Sequence, residues 1–280
     1  MIKRYDCDRQ WKEMKLGMDS VADGLYKGAL PRKSVYGSAP GLTPFAEAYP
    51  DMLVDPKDYK EVIQHCHDKK IFPMYHQKAT WGPDGFRWNQ NGLGYCWTWS
   101  GTGDVMNCRA LEGKPTVLLS PVSMGWLVGW KNRGNYLESF IKGAMERGIA
   151  PMEYTPNQHS PNPRNFKPGW EDAALNYRIQ EAWDTDTRKM IQHAISILRC
   201  GTSGYIAYNW WGHALSLVGV RWDEKVANNI VWVIRNSHNE DDFIELTGSR
   251  GIPDELYGIR STRTKLEKVQ DVKPRFENAI

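Results

Sequence analysis

The hydrophobic period of this chain changes near residue 200, and that change limits its fold more than any other feature. Ahead of it, apolar residues recur at helical spacing. In "NYLESFIKGAMERG" the residues Leu137, Phe140, Ile141, Ala144 and Met145 form one stripe, Asn135 and Glu138 make a capping-box-like start, and Gly148 supplies the stop. "DTRKMIQHAISILRCG" repeats the pattern with Met190, Ile191, Ala194 and Leu198. "DPKDYKEVIQHCHDKK" predicts a third helix, with Asp55 as N-cap, Pro56 at N1 and Tyr59, Val62, Ile63 and Cys66 on one face. From Cys96 onward, Trp99, Gly103, Met106 and Ala110 follow at the same period, although each glycine in such a helix costs about 1 kcal/mol. Beyond residue 200, "GYIAY", "HALSLVGV", "IVWVIR" and "FIEL" are short β-branched or aromatic runs between turn residues, which predicts strands. Helices followed by strands give an α+β protein, a helical half packed on an antiparallel β half.

The flanks read differently. "PRKSVYGSAPGLTPFAEAYP" is rich in Pro, Gly and Ser, so residues 1–72 are expected to be an extended N-terminal arm. Residues 73–250 then carry the folded domain, and "RSTRTKLEKVQDVKPRFENAI" marks residues 251–280 as a charged tail. Charge excludes some partners: 36 Lys+Arg against 33 Asp+Glu leave a net +3, too little to point to nucleic acid. The start "MIKRYDCDRQ" has no apolar run after it, and "TVLLSPVSMGWLVGW" is too short and too broken to span a bilayer, so a cytoplasmic chain is expected. Five cysteines without paired spacing are no disulfide framework and fit a reducing compartment.

One of those cysteines stands apart. In "WNQNGLGYCWTWSGTG", Cys96 follows two glycines and Gln90 and opens a predicted helix, where the helix dipole favours a thiolate. A nucleophilic thiol needs a base, and a base needs an orienting group. His213 opens the strand "HALSLVGV", and the next strand, "NIVWVIRNS", runs into Asn236. A hairpin across residues 221–229 that pairs Val220 with Ile230 sets His213 opposite position 237, one residue from Asn236. Cross-strand neighbours lie about 5 Å apart at Cβ, close enough for the amide to bond the imidazole and fix its tautomer. Gln90, with the Cys96 N–H, is the candidate for holding an oxyanion. Cys96 in the helical half and His213 in the β half would meet across a cleft between them.

These residues resemble the papain-like cysteine peptidases. Gln90, Gly94, Cys96 and Trp97 are similar to the family's glutamine followed by Gly-x-Cys-Trp; "GHALSLVGV" and "VIRNSHN" resemble its histidine and asparagine motifs. "LLSPVSMGWLV" and "NRGNYLESFIKGAMERGIAPMEYTP" match its Leu-Ser segment, Gly-rich turn and helix. The resemblance implies a papain-like fold and a peptide-bond hydrolase with a polypeptide substrate, no cofactor and no metal. It gives Cys96 as nucleophile, His213 as base, Asn236 as its orienter and Gln90 at the oxyanion, with Trp97, Gly134 and Trp211 as substrate-binding residues. Asn236 falls within the family's window of about 130–150 residues after the cysteine, and His213 falls short of it. His238 stands where the family has a tryptophan over the His–Asn bond, and Leu93 stands where it has a disulfide cysteine. "MLVDPKDYKEVIQ", "QNGLGYCW" and "YNWWGH" look more like bacteriophage-encoded relatives, so the N-terminal arm is expected to join other subunits, in a virion for instance.

Blander readings accompany these. A lone buried Cys, His or Asn is more often packing or turn than chemistry, and only their joint order favours a site. Trp210 and Trp211 could line the cleft or pack in the core. "HCH" at 65–67 places successive helical residues on different faces, against a zinc site. Two rival functions remain: a papain-fold structural or binding protein without activity, and a Cys-His acyl-transfer enzyme such as an amidase or transglutaminase.

Overall fold

The computed structural model describes residues 2–18, 28–76, 88–90, 92–237 and 243–261. Its strands are β1 (Lys3–Asp6), β2 (Thr43–Pro44), β3 (Glu181–Asp184), β4 (Gly204–Tyr208), β5 (His213–Trp222), β6 (Ile230–Arg235), β7 (Ile244–Thr247) and β8 (Glu255–Arg260). They form one sheet in the order β1-β7-β6-β5-β4-β8-β3-β2. The edge pairs β1 with β7 and β2 with β3 are parallel, and the other pairings are antiparallel. The α-helices are α1 (Cys7–Met18), α2 (Phe45–Ala48), α3 (Tyr59–Asp68), α4 (Cys96–Leu111), α5 (Leu137–Glu146), α6 (Trp170–Ala174) and α7 (Met190–Arg199).

Both faces of the sheet are covered, which explains runs such as "GYIAY" that are apolar throughout. On β4, Tyr205 and Ala207 enter the core formed with α4 and α5, while Ile206 and Tyr208 enter the core formed with α3 and α7. Side chains of a strand alternate between faces, so one short run serves two layers. Helix α4 is buried from Cys96 to Arg109. Its Gly101 is required by packing, since a Cβ there would lie 2.2 Å from the Phe140 ring of α5. The helix gives up propensity at that residue for a close crossing.

The expected divisions at residues 72 and 250 do not match the packing. Strand β1 extends the sheet, and the Asp8 carboxylate accepts from Ser249 N and Arg250 N at 2.8 and 2.9 Å. Phe45, Tyr49, Met52, Val54, Ile63 and Phe72 lie in the same core as α7 and β5. This is no separate arm. At the other end, the expected tail begins with β8, which sits between β4 and β3 near the middle of the sheet. "ELYGIR" hides its strand behind terminal charges, and its Glu255 is buried. Residues 262–280, the rest of that tail, lie outside the described residues.

Two local expectations also change. Asp55 caps as read, accepting from Lys57 N at 3.0 Å, but a 3-10 turn at Pro56–Asp58 precedes α3. The capping box at α5 is absent: Asn135 Oδ1 accepts from its neighbour Tyr136 N, and Glu138 turns to Ser34 and Tyr257. No described helix is long and apolar enough to cross a membrane.

Candidate active site

The hairpin of β5 and β6 pairs Trp222 with Ile230 and Val220 with Trp232, two positions from the expected register. A bulge between Leu217 and Gly219 takes back one residue before the strands reach the site, where Ser216 faces Arg235. His213 and Asn236 therefore meet: Nε2 of the imidazole lies 2.9 Å from Asn236 Oδ1. The same oxygen accepts from Ser237 N at 2.8 Å, which fixes the amide orientation, because an NH2 group could not receive that donor. Nε2 thus carries the proton that bonds Asn236, leaving Nδ1 as the basic nitrogen.

Cys96 is the first residue of α4, at a helix N-terminus whose leading N–H groups have no partner within the helix. Ala214, the residue after His213, donates its N–H to Cys96 Sγ at 3.3 Å. Strand β5 thereby delivers the imidazole and touches the thiol with consecutive residues. The sulfur is fully buried (0% exposed). Burial pushes the Cys96 thiol up to about 12, against the pull of N–H groups from Ala214, Trp97, Cys96 and Gly28. Burial outweighs the helix terminus, and the sulfur keeps its proton. Cys7, Cys66 and Cys200 are likewise pushed up to about 12 by burial.

Gln90 is tied to the same wall through Ser237. Its backbone N–H donates to Ser237 O at 2.9 Å, and its Oε1 accepts from the Ser237 hydroxyl at 2.5 Å. Its Nε2 donates to Leu93 O at 2.7 Å, which leaves one further N–H on that nitrogen. The expected substrate residues are placed less openly. Trp97 is buried and donates to Gly94 O and Arg133 O, tying two loops together. Gly134 is buried beside Asn135, and Trp211 packs against Tyr208, Trp210 and His213. His238 lies outside the described residues. Among the described residues no group of three His, Cys, Asp or Glu could hold a metal ion. His67 of the "HCH" cluster bonds Tyr75 Oη and Val220 O.

Sequence reasoning missed residues 28–30, which pass beside the thiol. Gly28 O accepts from Asn135 N at 3.0 Å, Leu30 N donates to Asn135 O at 3.1 Å, and Ala29 N donates to Gly212 O at 3.1 Å. Asn135 and Gly212 therefore both pair with one short segment, parallel to Asn135. A Cβ on Gly28 would lie 2.4 Å from Cys96 Sγ, so only glycine allows this approach. Behind it, Arg32 Nη2 meets Asp184 at 2.6 Å, Arg32 N donates to Glu255 Oε1 at 2.7 Å, and Gly37 N donates to Asp184 at 2.8 Å. Ser34 Oγ and Tyr257 Oη both donate to Glu138 Oε1.

No protein-family model and no curated protein matches the sequence. Solved structures do. The chain is similar to xylellain, a cysteine protease from Xylella fastidiosa, at 19% identity and a TM-score of 0.50 over 84% of this chain and 100% of that one. It is similar to the digestive procathepsin L2 proteinase of Tenebrio molitor larval midgut at 13% identity and a TM-score of 0.55, over 90% of each chain. Bromelain from Ananas comosus, in complex with the E64 inhibitor, aligns at 13% identity and a TM-score of 0.50, over 63% of this chain and 93% of that one. The chain has the α+β fold of the papain-like cysteine proteases.

Proposed function

We propose that this protein is a thiol-dependent peptidase, described here in a latent state with its own residues 28–30 in the cleft. The observation that carries the reading is the His213–Asn236 bond, which leaves Nδ1 as the basic nitrogen on the strand whose next residue contacts Cys96 Sγ. With the cleft open, the Cys96 proton passes to His213 Nδ1 and the sulfur attacks a peptide carbonyl carbon. The carbonyl oxygen, now negative, takes the Cys96 N–H and the spare N–H of Gln90 Nε2. Collapse breaks the C–N bond as Nδ1 returns its proton to the leaving amine. Water, deprotonated by Nδ1, then hydrolyses the thioester and restores the thiol.

The present occupant supports a polypeptide substrate, since Asn135 and Gly212 already pair with an extended main chain. It is not itself presented for cleavage: the Gly28 carbonyl points to Asn135 N, and the sulfur faces the Gly28 N–H and Cα. The sealed thiol also favours a second reading, a papain-fold binding protein, in a virion or elsewhere, that never opens. Gly28→Val in the full chain separates the two, because a side chain there must displace the segment. Overpacking of about 1–3 kcal/mol corresponds to roughly tenfold to hundredfold more opening. Iodoacetamide should then label Cys96 faster by that factor, and the variant should cleave an unfolded polypeptide, with cleavage lost in Gly28→Val/Cys96→Ala and Gly28→Val/His213→Ala. Labelling without cleavage would sink the peptidase reading and leave the binding protein.

A further inference from the structure

Arg32 sits where acidic side chains from three elements converge. Asp184 ends β3, Glu255 begins the neighbouring β8, and Glu138 lies on α5. The Arg32 Nη2 donates to Asp184 Oδ2 at 2.6 Å, its Nε lies 3.6 Å from Glu138 Oε1, and its backbone N–H donates to Glu255 Oε1 at 2.7 Å. The guanidinium carbon stands 5.7 Å from the centroid of the Tyr257 ring, and Tyr257 faces Asp184 across the β3–β8 pair. The pocket is closed to solvent, with the Asp184 side chain 0% exposed and that of Arg32 9%. It is also incompletely used: Glu255 Oε2 and Arg32 Nη1 are both buried without a partner among the described residues.

The occupant of this pocket belongs to the chain's own segment beside the thiol. Arg32 follows Leu30, whose N–H pairs with Asn135 O, by two residues (32 minus 30), and Gly28, which meets Cys96 Sγ, by four (32 minus 28). Moving that segment aside takes the guanidinium away and leaves Asp184, Glu138 and Glu255 without their cation. A buried carboxylate stripped of its partner is strongly disfavoured. Whatever replaces the segment has to bring a cation back. We infer that Asp184, Glu138, Glu255 and Tyr257 form a guanidinium subsite of the open cleft, which selects polypeptides carrying an arginine within about four residues of the sulfur, on the Asn135 side. Arginine suits this pocket better than lysine. Its five N–H donors, spread in a plane, can meet carboxylate oxygens from three directions while its flat face lies on the Tyr257 ring, whereas an ammonium is a single point charge. Glu255 Oε2, which Arg32 leaves unpaired, offers an incoming guanidinium a contact that the chain's own does not make.

As a substrate subsite the assignment rests on the proposed peptidase, but its test needs no turnover. In the full chain, Arg32→Ala vacates the pocket and Cys96→Ala removes the thiol. Fluorescein-labelled glycine–alanine peptides with one arginine at each position in turn are compared with the same peptides carrying lysine, or citrulline, which keeps the shape without the charge. Binding is read by fluorescence anisotropy. At one position arginine should bind at least about tenfold tighter than citrulline, with lysine between them. Adding Glu138→Gln and Glu255→Gln, which keep both acceptors, should cut that ratio at least about threefold. Equal binding of arginine and citrulline at every position overturns the inference, as does a preference unchanged by the loss of both carboxylates. Should Arg32→Ala fail to fold, Arg32→Gln carries the same comparison. The two readings fail separately. With Cys96 restored, cleavage that ignores arginine would keep the peptidase and sink the subsite, whereas an arginine preference in a chain that cleaves nothing would keep the guanidinium pocket and sink the peptidase.

Discussion

The wall that holds the imidazole and the segment that covers the thiol are built by different physics. On the wall, His213, Asn236, Ser237 and Gln90 are joined by short neutral hydrogen bonds between adjacent strands and a neighbouring loop. Sheet pairing sets their positions before any side chain is chosen. Among the described residues the cover pairs backbone with backbone at residues 28–30, and beyond them it meets carboxylates, with Arg32 set among Asp184, Glu138 and Glu255. A neutral bonded wall depends on strand geometry, whereas a charge-held cover can be loosened by one missing guanidinium. The same fold therefore holds one side of the site by strand pairing and the other largely by charge.

Arg32→Ala should break that comparison hardest. Asp184 is fully buried and Arg32 nearly so, and removing one partner of a buried pair costs about 3–5 kcal/mol. Urea unfolding should show a loss of that order. Cys96 should become open to iodoacetamide by at least about a hundredfold, at 1.4 kcal/mol per tenfold. The His213 imidazole signal should not move, because no wall bond includes Arg32. Lost stability with Cys96 still sealed would mean that Arg32 braces the sheet rather than the cover.

Glu255 adds a pH dependence to the same anchor. Burial pushes its carboxyl up to about 7, opposed by the Arg32 N–H and charge and reinforced by Glu138 and Asp254. The unfolded value is about 4.3, so the folded protein binds the extra proton between those limits. Its contribution is full below about pH 4.3, falls as pH rises through the window, and is gone above about 7. The span amounts to about 4 kcal/mol at 1.36 kcal/mol per unit. Glu255→Gln keeps a carbonyl for Arg32 N and should flatten that part of the profile. Urea midpoints at pH 5 and pH 8 for both proteins check it; an unchanged difference would place the titration elsewhere.

The two regions also differ in how far the sequence announced them. His213 and Asn236 could be brought together from strand pattern and hairpin length alone, and an error of two in register at the turn was reduced by a bulge that no pattern showed. Gln90 was legible as a member of the site, but its link to Ser237 was not, because a side-chain bond between distant segments leaves no period. The cover left no signal at all. "GALPR" has neither helical nor strand repeat, and Gly28 matters through a contact with a residue far along the chain. Glu138 shows the same limit: its place three residues after Asn135 suggested a cap, and the competing partners, Ser34 and Tyr257, come from outside the helix. β8 was read as tail because terminal charges masked a buried core strand.

Ser237→Ala gives the smallest expected effect and sharpens the comparison from the wall's side. The Ser237 hydroxyl is the donor to Gln90 Oε1, and both residues are buried. Deleting it removes one neutral hydrogen bond and leaves a carbonyl oxygen unpaired, a loss of about 1–2 kcal/mol. The backbone bond from Gln90 N to Ser237 O survives, so the loop should stay in place while its amide loosens. Because the cover does not touch this bond, Cys96 should remain as closed to iodoacetamide as in the unsubstituted chain. In the Gly28→Val background, where the cleft is open, peptide cleavage should fall by up to about tenfold as the Gln90 N–H loses its aim, less than the roughly hundredfold or more for removing an oxyanion donor outright. Alkylation that rose together with the stability loss would show that wall and cover are one mechanical unit, and the distinction between a strand-held and a charge-held side would fail.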